Sequence, residues 1–201
     1  MVMQSEPTNP ALQATGRLKP RRSSARLTYH AGALSVPFTA FHMGPGLLVK
    51  ALRQGSFSLM VFAWAQIIMD IQPLVVMITG EGHLHGFSHT YVGATLIGIG
   101  SALTGKYAAE LGLRLLGRSR DLPISWPVAI VSAVIGSYSH VLLDSLMHTD
   151  IEPFAPFILD NRMLGLVSVA ELHESCLYSG LLGMGLYFAI SHWLDGRKQR
   201  K

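Results

Sequence analysis

Two long apolar runs limit what this chain can fold into. Residues 57–78 contain a single ionisable side chain, Asp70, and residues 126–147 contain only two, His140 and Asp144. Each run has about the 20 residues that an α-helix needs to cross the hydrocarbon core of a bilayer. Charged residues make up 14% of the chain, against about 25% in soluble domains, and the mean hydropathy is +0.35. The sequence therefore predicts a helical membrane protein.

Two further segments are long enough to complete a bundle. Residues 91–109 are rich in glycine, and residues 163–191 are apolar apart from Glu171, His173 and Glu174. Residues 38–52 are short for a span, and Pro45 suits the first turn of a helix, so we expect a short re-entrant or interfacial helix with His42 at its N-terminal end. If this segment instead crosses the bilayer, the N-terminus lies outside, and Lys50 and Arg53 still fix the direction of the next span. The predicted fold class is an all-α, polytopic membrane bundle of about four transmembrane helices, with this short helix near the N-terminus.

Basic segments alternate with acidic connections along the chain. Lysine and arginine cluster in residues 17–26, 50–53, 106–120 and 197–201. The connections near residues 80–88 and 149–162 contain four carboxylates and one arginine. Because basic loops remain on the cytoplasmic side of a membrane, we predict a multi-pass protein of the inner cell membrane. Both termini and the loop at residues 106–125 are then cytoplasmic.

The same charges define the predicted domains and partners. Residues 1–33 are polar and basic and have no apolar core, which predicts a disordered cytoplasmic tail. Residues 34–194 form the predicted membrane domain, and residues 195–201 form a second basic cytoplasmic tail. Basic residues beside membrane spans set topology and contact anionic lipid. We therefore expect membrane lipids as partners, and not nucleic acid, although the pI is about 9.4.

Histidine and aspartate recur at helical spacing next to the apolar runs. His140, Asp144 and His148 follow one another at intervals of four residues, which places them along one face of a helix. His85 and His89 have the same spacing just before the run that begins at residue 91. Imidazole and carboxylate groups on one helix face are a typical arrangement for holding a divalent metal ion.

Depth in the membrane brings these groups to one side. Asp70 and His140 each lie about nine residues before the outer end of their run, roughly 13 Å below the surface at 1.5 Å per residue. Glu171 and Glu174 enter the last run from the same side. Polar groups in lipid are costly unless they pair, bind a ligand or line a wet cavity. The groups predicted to converge on one non-cytoplasmic pocket are Asp70, His85, His89, His140, Asp144 and His148, with one of the two glutamates.

An ordered set of motifs over roughly residues 36–160 resembles a known family. The motifs are His42 before a short helix, Asp70 late in the next helix, the box His85-Gly86-Phe87-Ser88-His89-Thr90, the segment Ser139-His140-Val141-Leu142-Leu143-Asp144, and the proline-rich segment at residues 153–157. In this order they resemble the YdjM-like membrane-bound metal-dependent hydrolases. The resemblance implies the metal ligands His42, Asp70, His85, His89, His140 and Asp144, to which the depth argument adds His148. The family's Asp-x-Asp element reads Asp70-Ile71-Gln72 here, which removes one carboxylate from a two-metal arrangement.

The donor set favours particular ions and a particular reaction. The single cysteine, Cys176, provides no thiolate cage. Nitrogen and carboxylate ligands suit Zn²⁺ best, with Mn²⁺ or Fe²⁺ as alternatives. An ion with an open coordination position would activate water, and Asp70, Glu171 or Glu174 could accept the proton. A pocket below the outer surface suits a lipid-like or amphiphilic ester, amide or phosphoester.

Two other functions stay open from the sequence alone. Intramembrane carboxylates and histidines also line transport paths for metal ions or protons, although the cytoplasmic halves of these runs contain almost no polar residue. A non-catalytic scaffold whose metal ion only clamps the helices would have a closed coordination shell.

The charge pattern makes a prediction about topology. A reporter fused after Lys201 should be cytoplasmic, and a reporter inserted near Gly82 should be external, because the basic clusters and acidic connections alternate. Protease protection or reporter activity in whole cells measures both positions. A cytoplasmic reporter at Gly82 would contradict the outward-facing pocket.

Overall fold

The computed structural model describes residues 39–118 and 122–198 of the chain. The predicted tail at residues 1–33 lies outside these residues, as does the end of the second tail. Within them the structure is helical and contains no strand, which confirms the predicted all-α class. The helices are α1 (Thr39–Arg53), α2 (Leu59–Met69), α3 (Ile71–Thr79), α4 (Tyr91–Leu115), α5 (Trp126–Met147) and α6 (Val169–Lys198). Short 3₁₀ turns lie at Gln54–Ser56 and Phe87–His89.

The first long apolar run is broken into α2 and α3 at Asp70. Pro73 has no backbone N–H, and its ring crowds the carbonyl four residues earlier, which is that of Met69. The helix therefore ends at Met69 and restarts at Ile71, with Asp70 between them. This break leaves the Asp70 side chain at a helix junction in the middle of an otherwise apolar segment.

Small residues let α2, α4 and α5 pack closely around one core. Alanines from all three helices are buried there, together with Val61. A Cβ at Gly136 of α5 would lie 2.9 Å from the backbone oxygen of Phe62, and one at Gly98 of α4 would lie 2.8 Å from Ser137 Oγ. Interfaces of this kind are common between helices in membranes, where small residues permit close backbone approach.

Helix α1 packs along α6 in a similar way. A Cβ at Gly183 of α6 would lie 2.5 Å from the backbone nitrogen of Leu48 on α1. Near the beginning of α1, Phe41 packs against a buried cluster that includes Leu143 of α5 and Leu172 of α6. These contacts hold the N-terminal end of α1, and with it His42, against α5.

Apolar side chains also cover the outer surface of the bundle. The segment Leu59–Thr79 and helix α5 are each long and apolar enough to cross a membrane. Along α4, outward-facing residues recur every three or four positions: Val92, Leu96, Ile99, Leu103, Tyr107, Leu111 and Leu115. A continuous exposed apolar stripe on a 25-residue helix is unusual for a surface in water.

The contact between α1 and α6 predicts the effect of a single methyl group. Gly183→Ala should lower the melting temperature in detergent, because the Cβ would force apart two closely packed backbones at a cost of about 1–3 kcal/mol. Gly185→Ala on the same helix is the matched control, since a Cβ there meets nothing within 4 Å. Equal melting temperatures for the two variants would contradict this packing.

Candidate metal centre

Helix and loop elements from four parts of the chain deliver histidines and aspartates to one end of the bundle. This end carries the N-terminus of α4 and the C-terminus of α5. The contributing residues are His42 of α1, Asp70 at the α2–α3 junction, His85 and His89 around the 3₁₀ turn before α4, His140 and Asp144 of α5, and His148 directly after α5. The structure thus brings together all seven of the metal ligands that the sequence predicts.

Asp144 lies at the centre of this group. Its Oδ2 is 3.0 Å from His140 Nε2 and 3.2 Å from His89 Nε2. Its Oδ1 is 3.4 Å from His42 Nε2 and 4.0 Å from His148 Nε2. The carboxylate is 5% exposed, so four imidazoles surround a buried anionic group.

A second carboxylate closes the group on the α2–α3 side. Asp70 Oδ1 lies 3.2 Å from His140 Nε2. Ligand atoms of Asp70, His89 and His140 lie within 4.8 Å of one another, as do those of His42, His140 and Asp144. Ligand atoms at such separations can share one ion, because metal–nitrogen and metal–oxygen bonds are about 2.0–2.2 Å long for zinc.

Several buried ring nitrogens in this cluster have no hydrogen-bond partner. These are both nitrogens of His42, together with Nε2 of His89 and of His140. The Nε2 atoms of these three histidines lie 3.0–3.4 Å from carboxylate oxygens of Asp144. Leaving polar groups unpaired in an apolar interior costs free energy. A divalent ion among them would satisfy the nitrogens and the carboxylates together, so the residues present fit a metal.

The opposite ring nitrogens are occupied by supporting residues. His140 Nδ1 donates to Gln66 Oε1 at 2.5 Å, and His89 Nδ1 pairs with Ser88 Oγ at 2.9 Å. Gln66 is fully buried, and its Nε2 donates to Ser139 Oγ. Because an amide oxygen only accepts, His140 carries a proton on Nδ1, and Nε2 is the ring nitrogen that faces the cluster. Metal-binding histidines usually have such partners.

Gln72 of α3 holds the loop that carries His85 and His89. Its Nε2 donates to the backbone oxygen of His83 at 3.3 Å, and its Oε1 accepts from the backbone N–H of Ser88 at 3.0 Å. One amide group can make both bonds, whereas a carboxylate cannot donate. At this position glutamine therefore serves the loop and not the metal centre.

A second, more exposed group adjoins the first. His85 Nδ1 lies 2.8 Å from Asp150 Oδ1, and the rings of His85 and His148 stack with centroids 4.2 Å apart. Burial raises the pKa of Asp150, but the hydrogen bond and charge interaction with His85, together with backbone hydrogen bonds, outweigh it, so the pKa lies below its ordinary value. From the sequence, Asp150 was only one of the acidic residues in the connection at residues 149–162.

The two glutamates of α6 lie outside these groups. Glu171 forms a capping box with Ser168: its carboxylate accepts from the backbone N–H of Ser168, while Ser168 Oγ accepts from that of Glu171. Glu174 is exposed. Among the described residues, neither glutamate belongs to a set of side chains spaced to share a metal ion.

Comparison with known proteins adds no relative. No family model matches the chain, and no curated protein or solved structure matches it either. Interpretation of the site therefore depends on its own geometry.

The centre predicts that metal and folding are coupled. Ligands from α1, the α2–α3 junction, the loop before α4, and α5 would be cross-linked by an ion, whose binding free energy then stabilises the bundle. A chelator should lower the melting temperature of the wild type, and should lower it far less in His89→Ala and His140→Ala. His83→Ala is the control in the same loop, because its side chain is exposed. Equal chelator sensitivity in all four proteins would contradict the stabilisation of the fold by a metal ion bound to these histidines.

Proposed function

We propose that this chain is a membrane-embedded metal-dependent hydrolase, related to the YdjM-like family that its motifs resemble. The observation that carries the proposal is the convergence of buried, unpaired imidazole nitrogens on two carboxylates. Zn²⁺ suits this donor set best, with Mn²⁺ or Fe²⁺ as alternatives. The ion would be held by His89, His140 and Asp144, with His42 on the other side of Asp144 and Asp70 beside His140. When bound with an open position, it would supply Lewis-acid activation of water and of a scissile carbonyl or phosphoryl group.

The two carboxylates are suited to different tasks. Asp144 is enclosed by four imidazoles, which fixes its position. Asp70 is 18% exposed and lies at a helix break, so water can reach it. We assign Asp70 as the group that accepts a proton from the attacking water, and Asp144 as the group that holds the histidines.

The surroundings of the site favour an amphiphilic substrate. The connection between α5 and α6 lies at the same end of the bundle, since the backbone oxygen of Pro153 accepts from the N–H of Tyr91. This connection exposes a series of large apolar side chains, among them Phe157 at 83% and Leu159 at 69%. Such residues fit the interfacial region of a bilayer. A lipid-like ester, amide or phosphoester would reach the site along this surface.

We further propose that α4 and α6 cross the membrane beside Leu59–Thr79 and α5, which gives four spans. The apolar stripe along α4 supports this, as do exposed apolar residues along α6, including Leu181 and Phe188. The termini would be cytoplasmic and the metal centre would face the other side, in the inner cell membrane. The lipids around these helices are the expected partners.

The alternative that the geometry keeps open is a non-catalytic scaffold. The candidate ligands come from several separate elements, so an ion could serve only to clamp them. A transport path is less well supported, because the buried polar groups of α4 and α5 towards the other end are three serines, Ser101, Ser132 and Ser137, and Glu110, which is paired with Lys106. Three serines and one ion pair do not form the chain of ionisable groups typical of proton or metal relays.

The variant Asp70→Asn distinguishes a hydrolase from a non-catalytic scaffold whose metal ion only clamps the helices. The change keeps the size of the side chain but removes its charge and its ability to accept a proton, which typically costs about 10²–10⁴ in rate. We expect metal-dependent turnover of amphiphilic esters, amides or phosphoesters in mixed micelles to fall by that factor, while the melting temperature changes little. Glu81→Gln, in an exposed loop, is the charge-matched control and should retain full turnover.

Loss of stability without any turnover would identify the protein as a non-catalytic scaffold. If the wild type turns over no member of the panel and Asp70→Asn melts at a much lower temperature, Asp70 has only a structural role and the hydrolase proposal fails.

A further inference from the structure

The outer group of His85, His148 and Asp150 is not used by the centre proposed above. Ligand atoms of these three residues lie within 4.8 Å of one another. The His85 side chain is 7% exposed, whereas those of His148 and Asp150 are 38% and 49% exposed. The group therefore begins beside the buried cluster and ends at the surface.

Asp144 connects the two groups through its two oxygens. Oδ2 faces His89 and His140, and Oδ1 faces His42 and His148. His85, His89 and Asp144 also offer ligand atoms within 4.8 Å of one another. A carboxylate whose oxygens face different sets of imidazoles is arranged to bridge two ions.

A simple ion pair explains only part of this arrangement. The pairing of His85 with Asp150 accounts for one ring nitrogen of His85. It does not account for His148, whose ring stacks on His85 while its Nε2 is directed to Asp144. An additional cation near Oδ1 of Asp144 would engage His148 and His85 together.

We propose that the chain holds a second divalent cation, bound by His85, His148 and Asp150 and bridged by Asp144 to the ion of the buried centre. The second site deepens the proposed function and rests on it. Two imidazoles and carboxylate oxygens suit Zn²⁺, Mn²⁺ or Fe²⁺. Because its ligands are more exposed, this ion should bind more weakly than the buried one and exchange first. Two ions held close together can stabilise both the attacking and the leaving oxygen of a displacement.

Metal stoichiometry tests the second site. The full chain, without a histidine tag, is purified in detergent, loaded with Mn²⁺ or Zn²⁺, dialysed and assayed for metal per chain. The wild type should hold two ions, whereas His148→Ala and Asp150→Asn should each hold one. His83→Ala, an exposed histidine in the loop that carries His85, should still hold two. With Mn²⁺, electron paramagnetic resonance should show coupled ions in the wild type and isolated ions in the two variants.

Each outcome separates this proposal from the hydrolase proposal. One ion per chain in an active wild type overturns the second site and leaves the hydrolase intact. Two ions in both variants, or two uncoupled Mn²⁺ ions in the wild type, also overturn it. Two coupled ions in a protein without turnover support the second site while the hydrolase fails. If His148→Ala does not fold, Asp150→Asn decides, because its half-exposed side chain tolerates an isosteric change.

Discussion

The buried carboxylate of Asp144 places the strongest physical demand on this structure. An ionised carboxylate in an apolar interior is stable only when cations or hydrogen-bond donors surround it. Here four imidazoles surround it, and the Nε2 atoms of three of them have no hydrogen-bond partner. Neutral imidazoles would not balance the charges of Asp144 and Asp70, whereas a divalent ion, which this cluster could hold, would do so.

Local features of the chain place each ligand at this carboxylate. Pro73 breaks the first apolar segment and leaves Asp70 at the junction. Gln72 ties down the loop that carries His89, and glycines let α6 hold α1 close to α5. Gln66 accepts a hydrogen bond from Nδ1 of His140 and so orients the ring with Nε2 towards Asp144. A metal centre built across separate elements needs this support, because a small displacement of any ligand weakens the site.

Periodicity was sufficient to predict the helical class, whereas the set of residues that meet at the site also needed the depth argument for Asp70 and the family resemblance for His42. The interval of four residues places His140 and Asp144 on one face of α5, and membrane depth correctly relates Asp70 to His140. His148 is different: it lies after the end of α5 with extended dihedral angles, so helical spacing alone does not explain its approach to Asp144. Of the four predicted spans, length and composition support two, Leu59–Thr79 and α5.

Two further local features follow from sequence patterns, whereas two contacts between distant segments do not. The capping box Ser168-x-x-Glu171 is a sequence pattern that gives Glu171 a structural role, and Pro73 signals the helix break. By contrast, the pairing of Asp150 with His85 depends on how two loops fold over each other, which no local pattern encodes. The same is true of Gln72, which the sequence presents only as a missing carboxylate.

X-ray absorption at the zinc edge of the purified, zinc-loaded protein tests directly whether the histidines around Asp144 bind a metal ion. We expect nitrogen and oxygen ligands at about 2.0–2.1 Å, with the multiple-scattering pattern of several imidazoles, and we expect this pattern to be lost in His140→Ala. A shell containing sulfur at about 2.3 Å, or a folded protein that retains no zinc, would contradict it.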